Sequence, residues 1–297
     1  MLFRSSFENI QCYDTLKVNA ILNEINGQTH DGKPSQVPNI FGMNFQAVSV
    51  GQKLIEKSNS TTGGYKDAVG TPTSALLSEI EYVDDSIGEM VGAIKNNGLY
   101  DSTLIIITAK HGQSPIDPNL WNPILSQTDG TSPATLLSNA NMIPFSESTN
   151  NPTGIGPTED DVSLIWLKPG ASTKAAVSLL EANKTNIGLG QIFWGPSLAL
   201  NYDVPGLPPN DPRTPDIIVT PNVGVDYTGS KAKLSEHGGF SHDDTNVVLL
   251  VSNPAYSPKT VYTNVGTNQI APTVLKSLGL NPASLDAVKL EGTAVLP

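Results

Sequence analysis

Two stretches of the 297-residue sequence collect side chains able to do chemistry. The first, Thr103 to Ser114, reads Thr-Leu-Ile-Ile-Ile-Thr-Ala-Lys-His-Gly-Gln-Ser and passes from hydrocarbon to a cation, an imidazole and a glycine. Its His111 can ligate a metal or move a proton near neutral pH, and Lys110 beside it adds a positive charge. The second, Ser235 to Thr245, holds two histidines, His237 and His242, three acids, Glu236, Asp243 and Asp244, and the pair Gly238-Gly239. Imidazole and carboxylate are the ligands a zinc-type ion takes, and glycine lets a backbone approach a bound ion closely. Three protein ligands with one open position is the catalytic arrangement of such an ion. Each stretch also has an inert reading: a histidine that merely ends a strand, and a hydrogen-bonded polar turn.

Position raises the first stretch above the inert reading. Leu104 to Thr108 is a short, unpunctuated aliphatic run of the kind that forms a fully buried strand. In an open α/β sheet ligands collect at the carboxyl ends of central strands, which is where His111 and Lys110 fall. Thr73 to Asn97 precedes that strand as the clearest helix of the chain, with Leu76, Ile80, Val83, Ile87, Met90 and Ile94 on one face and Gly98 closing it. A long helix feeding a buried strand is the αβ half of a parallel-sheet unit. Asp216 to Thr220 and Asn246 to Ser252 read as two further buried strands flanking the second stretch, and Asn268 to Gly279 as a last helix.

The remainder is structural in character. Asp14 is placed to cap a helix carrying Val18, Ile21, Leu22 and Ile25, with Gly27 as its stop. Residues 28–38, with His30 and Asp31, form a turn-rich loop, Ile40 to Val50 an extended segment, and Lys57 to Gly64 a polar loop. Asp84 and Asp85 fall on a solvated helix face. From Pro115 to Pro215 the composition turns to Pro, Asn, Ser and Gly, and only Val162 to Leu167 and Ser172 to Asn183 look regular. This predicts a long cap-like insertion of about 115–215 with a poor core, able to set substrate choice. Within it Glu159-Asp160-Asp161 reads as a solvated turn, while Trp121, Trp166, Phe193 and Trp194 fill the insert's small core.

Composition excludes some classes. A net charge of -11 and a pI near 4.7, with no basic stripe, argue against binding a nucleic-acid duplex. No apolar stretch is long enough to predict a membrane span, and the start, Met1-Leu-Phe-Arg, lacks the apolar core of a signal peptide. One cysteine, Cys12, rules out an internal disulfide. Sequons at Asn59 and Asn183, and much Ser, Thr, Asn, Gly and Pro with little Lys, have an extracellular flavour.

Leu104 to Gly112, the His237-Gly-Gly loop and the terminal Gln269-Ile-Ala-Pro-Thr-Val-Leu-Lys-Ser-Leu-Gly-Leu280 together resemble the alkaline phosphatase superfamily, most closely its type I phosphodiesterase/nucleotide pyrophosphatase-like branch. The order and spacing of the three motifs match over most of the chain. The resemblance implies a single α/β domain over 1–297: a three-layer αβα sandwich with a central, largely parallel sheet and a long insertion. It implies a metal-dependent hydrolase of small phosphate esters, secreted or periplasmic in its full-length form, with one or two divalent ions, zinc by the family's habit.

Carried over by motif, His111 would ligate one ion and His237 the other. Lys110 stands where the family has an aspartate, and Asp67-Ala-Val-Gly-Thr71 keeps the acid of an upstream metal motif while losing its imidazole. The family's first metal-binding aspartate and its Thr/Ser nucleophile lie on an N-terminal segment with no counterpart here, so the resemblance predicts a chain that begins inside its domain. Lys110 is expected to take over part of one ion's role as a point cation. Two alternatives stand beside this reading: a non-catalytic relative acting as a binding or structural module, and a sulfatase or phosphosugar mutase of the same superfamily.

Overall fold

The computed structural model describes residues 6–124, 131–144, 157–198, 214–228 and 232–297. The chain opens with helix α1, Phe7–Ile25, whose Ser6 side chain accepts from Asn9 N at 3.2 Å. Asp14 is therefore not the cap of this helix. It is fully buried, pairs with Lys17 at 2.6 Å, and its Oδ2 accepts from Gln46 N at 2.7 Å and Ala47 N at 2.8 Å. Those N–H groups open helix α2, Ala47–Lys53. The end of the expected extended segment 40–50 is thus helical, because a carboxylate from helix α1 satisfies donors that the helix start leaves without partners.

A hairpin follows, β1 at Ile55–Glu56 and β2 at Thr61–Thr62, its second strand within what reads in sequence as the polar loop Lys57 to Gly64. Helix α3 spans Ser74–Asn96, capped by Thr73, whose side chain accepts from Leu76 N at 3.3 Å, and Gly98 closes it at φ +68°. Both α1 and α2 pack on α3. Buried Ile10, Ala47 and Val50 form one small core, and Ile21, Ile25 and Ile94 a second.

Strand β3, Ile105–Thr108, follows α3 where the sequence predicts a strand, but it and its partner at Leu249–Ser252 are only partly buried, not the fully buried strands expected, with Thr108 and Leu250 exposed. The strands after it are β4, Asn122–Pro123; β5, Thr158–Glu159; β6, Ser163–Ile165; β7, Leu189–Trp194; β8, Ile217–Pro221; β9, Val225–Asp226; and β10, Leu249–Ser252. The fold is mixed α/β, but the expectation of a largely parallel sheet needs correction. Among the described residues, β3 pairs antiparallel with β10, and the sheet β5-β6-β8-β7 is antiparallel throughout; only the short β4–β9 pair is parallel. An apolar run reads the same in either direction, so strand sense is set by connections the local pattern does not record.

The antiparallel sense of β3 and β10 positions the site. Thr108 lies opposite Leu249, so the residues after β3 and the residues before β10 emerge at one rim.

The region 115–215 also departs from expectation. Parts of it, at 125–130, 145–156 and 199–213, lie outside the described residues. In the rest, helix α4, Pro133–Asn139, and helix α5, Thr173–Ala182, join the four-stranded sheet around the largest buried cluster among the described residues. That cluster includes Leu137, Ile143, Ile165, Leu180, Ile217 and Tyr227. The tryptophans do not fill it, and Trp194 is 38% exposed. Very short strands separated by polar loops give little periodicity, so the core is visible only once distant segments meet. Leu137, with no exposed surface, tests its weight: Leu137→Ala should cost about 2–5 kcal/mol, read as a lower urea midpoint at unchanged slope.

The short helix α6, His242–Thr245, precedes β10. Beyond β10 come the helices α7, Ile270–Ser277, as the sequence predicts, and α8, Asp286–Glu291. No helix among the described residues is long and apolar enough to cross a membrane.

Candidate functional site

At the rim where β3 ends, the His111 and His237 rings lie with centroids 4.2 Å apart and planes tilted by 37°. Backbone bonds hold the two loops together. Gly112 N donates to Asp244 O at 2.6 Å, and Ser114 and Glu236 exchange both N–H to O bonds at 2.9 Å. Thr108 Oγ1 donates to Val248 O at 2.9 Å just below them.

The donor chemistry of the pair follows from its neighbours. His111 Nδ1 lies 2.8 Å from Gly112 O, a carbonyl that can only accept. Nδ1 therefore carries the proton in the neutral ring, and the Nε2 lone pair is left for a ligand. Burial holds the His237 pKa below its ordinary value, and Lys53, His111 and Lys110 add to that effect against Glu236. His237 is thereby kept in the neutral form that ligates or accepts a proton. Lys110 is exposed and, with His111, Gly238, Gly239, Asp244 and Thr267, lines a cavity of about 380 Å³.

A group of buried acids backs the imidazoles. Glu236, 1% exposed, accepts at Oε1 from Thr228 at 3.1 Å and from Lys233, and Lys53 stands 3.9 Å from its Oε2. Asp160 is pushed up to about 6 by burial and by Glu236, and Asp226 to about 9 by burial and by Glu236, Asp244 and Asp160. The acids at 159–161 are thus no solvated turn. Glu159 Oε1 accepts from Ala134 N in the first turn of α4 and from Ser163 Oγ, both at 2.8 Å, and Asp161 is 4% exposed. Sequence reading gave no role to Asp160, Asp161 and Asp226. For Asp226 the one available signal was an acid set between Val225 and Tyr227, both of which point to burial.

Of the residues singled out by sequence, the fold brings together Lys110, His111 and His237. Asp67 is engaged elsewhere, its Oδ1 accepting from Val69 N at 3.1 Å and Thr71 N at 3.0 Å. Hydrogen bonds from Thr71, with a smaller one from Val69, hold its carboxyl below the usual range. Among the described residues no three His, Cys, Asp or Glu side chains converge as a metal ion requires. Asp67 therefore does not join the imidazoles as a third ligand. The two imidazoles suit a zinc-type ion, but they supply only part of a coordination sphere.

No curated protein matches this chain. Among solved structures, human ectonucleotide pyrophosphatase/phosphodiesterase 5 is 14% identical over 69% of this chain and 49% of its own, with a TM-score of 0.43. An inactive form of the murine protein, solved in complex with AMP, is 14% identical over 71% of this chain and 50% of its own, with a TM-score of 0.49. The chain thus spans about half the length of these proteins. The profile of the type I phosphodiesterase/nucleotide pyrophosphatase family matches residues 60–244, a stretch that includes Asp67, Lys110, His111 and His237. With well over half of its length matched, the chain belongs to the type I phosphodiesterase/nucleotide pyrophosphatase family.

Proposed function

We propose that this chain carries the imidazole half of a metal-dependent phosphate-ester hydrolase site of the phosphodiesterase type, acting on a small phosphate ester. The observation that carries the reading is the 4.2 Å approach of His111 and His237 at the rim of the β3–β10 pair. His111 through Nε2 and neutral His237 would hold a zinc-like divalent ion. Such an ion, when bound, supplies Lewis-acid polarisation of a phosphoryl oxygen. Lys110, exposed at the mouth of the cavity, neutralises phosphate charge as a point cation and draws the anionic ester toward an otherwise acidic protein. Gly238, where an added Cβ would meet nothing within 4 Å, leaves room along the cavity wall for the ester. By the same reading the protein works outside the cytoplasm.

The test is metal analysis of the purified protein beside hydrolysis of a chromogenic phosphodiester. About one divalent ion per chain is expected, with His237→Ala losing both ion and turnover, and Lys110→Ala losing about tenfold in turnover at unchanged metal content. Unchanged turnover in Lys110→Ala would remove the lysine's role. A second reading has its own support, since no third ligand among the described residues accompanies the imidazoles, and Lys110 and Thr71 replace an acid and an imidazole of the family pattern. A protein that retains no ion and hydrolyses neither phosphodiester, phosphomonoester nor sulfate ester is a non-catalytic member acting as a binding module.

A further inference from the structure

Three separate stretches of chain meet behind the imidazoles, and one hydroxyl touches two of them from the third. Ser114 Oγ lies 2.5 Å from Asp161 Oδ2 and 3.0 Å from Asp244 Oδ2. Ser114 is on the loop that begins with His111, Asp244 is in the short helix that follows the His237 loop, and Asp161 N donates to His237 O at 3.4 Å. Both carboxylates are buried, at 4% and 2% exposure. The space between them is full: a Cβ added at Gly239 would sit 2.7 Å from Asp244 Oδ2 and 3.0 Å from Asp161 Cβ. Ser241 Oγ donates to the same Asp244 oxygen at 2.7 Å.

We propose that Ser114 is the positioning residue of the imidazole pair, its hydroxyl holding the Asp161 and Asp244 segments together so that His237 stays against His111. This role rests on the reading of the pair as the functional centre. Two buried carboxylates of like charge repel in a medium that screens poorly, and a donor placed between them offsets that repulsion. The single proton of the hydroxyl serves one carboxylate at a time; Asp161 Oδ2 is the nearer at 2.5 Å and Asp244 keeps the Ser241 donor, so without the hydroxyl it is the buried Asp161 carboxylate that loses a donor. The segments then relax by moving apart, and the one that moves with Asp161 is bonded to the His237 backbone. The backbone bonds from Gly112 and Ser114 fasten the His111 loop to the His237 loop, and Asp161 N fastens its own segment to His237 O; the Ser114 hydroxyl adds the direct link from the His111 loop to the Asp161 segment and closes the third side.

The test reads ring proximity directly. In histidine-labelled protein, a cross-ring NOE between His111 and His237 is expected in the wild type, lost in Ser114→Ala, and restored in Ser114→Thr, which keeps the hydroxyl. Thermal melting of each variant runs beside it, because a residue that only supports folding would lower Tm and leave the NOE of the folded fraction intact. If Ser114→Ala does not fold, Ser114→Cys carries the test, since a thiol fills the same place but donates weakly. An NOE absent from the wild type, retained in the alanine and cysteine variants, or not restored by threonine overturns the proposal. If the predicted NOE pattern appears in a wild-type protein that holds no metal and hydrolyses no ester, the positioning role stands and the hydrolase reading alone fails.

Discussion

Asp226→Asn is expected to stabilise the protein at neutral and alkaline pH, by on the order of 2–4 kcal/mol at pH 7. Asp226 ends β9 with no exposed surface, and neither carboxylate oxygen has a hydrogen-bond partner among the described residues. Its neighbours are the acids Glu236, Asp244 and Asp160, opposed by Lys233. Burial first, and those acids second, push its pKa from 3.8 up to about 9.

The sign follows from proton counting. The unfolded chain releases this proton near pH 4, whereas the folded protein keeps it until about pH 9. Over that window the folded state binds more protons, so stability is fullest below the unfolded pKa and falls as pH rises through the folded one. Glu79 and Asp160, raised to about 7 and about 6, produce the same trend only at lower pH. Glu159 is also raised by burial, so the share of the loss between pH 7 and 9 that belongs to Asp226 is the share that should vanish in the asparagine variant. Urea midpoints measured across that range decide the matter: parallel slopes in wild type and variant would mean that Asp226 is not protonated in the fold.

Gly112→Ala should disrupt the rim itself. A Cβ on Gly112 would stand 1.9 Å from the Asp243 carbonyl oxygen, and the Gly112 N–H already donates to Asp244 O at 2.6 Å. No nearby flexible side chain can yield, because the obstruction is backbone. The requirement is for space, since Gly112 is not among the glycines at positive φ. The loops must separate or the chain must distort, at a cost of about 3 kcal/mol or more. Gly238→Ala is the informative control. Gly238 sits at φ +99° and an added methyl would meet nothing within 4 Å, so its cost is conformational, about 1–2 kcal/mol. Thermal melts should rank the two in that order, and a Gly112→Ala protein that melts like wild type would refute the close approach of the loops.

Local order wrote some of this fold plainly into the sequence. The helix read at Thr73 to Asn97 is observed at Ser74–Asn96, because six apolar residues on one face bracketed by a threonine cap and a glycine leave few alternatives. Helix α7 was legible from its early proline and closing glycine, and the place of strand β3 from its short aliphatic run. The helix α1 was legible in its middle but not at its start, since Asp14 has the residue type of a cap and is used as one for a different helix.

The candidate site was legible as residue types and not as an assembly. His111 and His237 stood out because each ends or precedes an aliphatic run beside glycine, and the motif order tied them to one family. Asp67 also fitted the pattern, yet its carboxylate is held by Val69 and Thr71, a local bond that no spacing rule anticipates.

What the sequence determined by itself was the inventory: the long helix at 74–96, the terminal helix, the place of strand β3 and which imidazoles are available. Tertiary structure alone decided that β10 runs antiparallel to β3, that the 115–215 region closes over the largest core among the described residues, and that Asp160, Asp161 and Asp226 turn inward. The physical reason is one of range. Periodicity and capping are interactions over a few residues, whereas strand sense and the burial of a charge depend on partners brought from far along the chain.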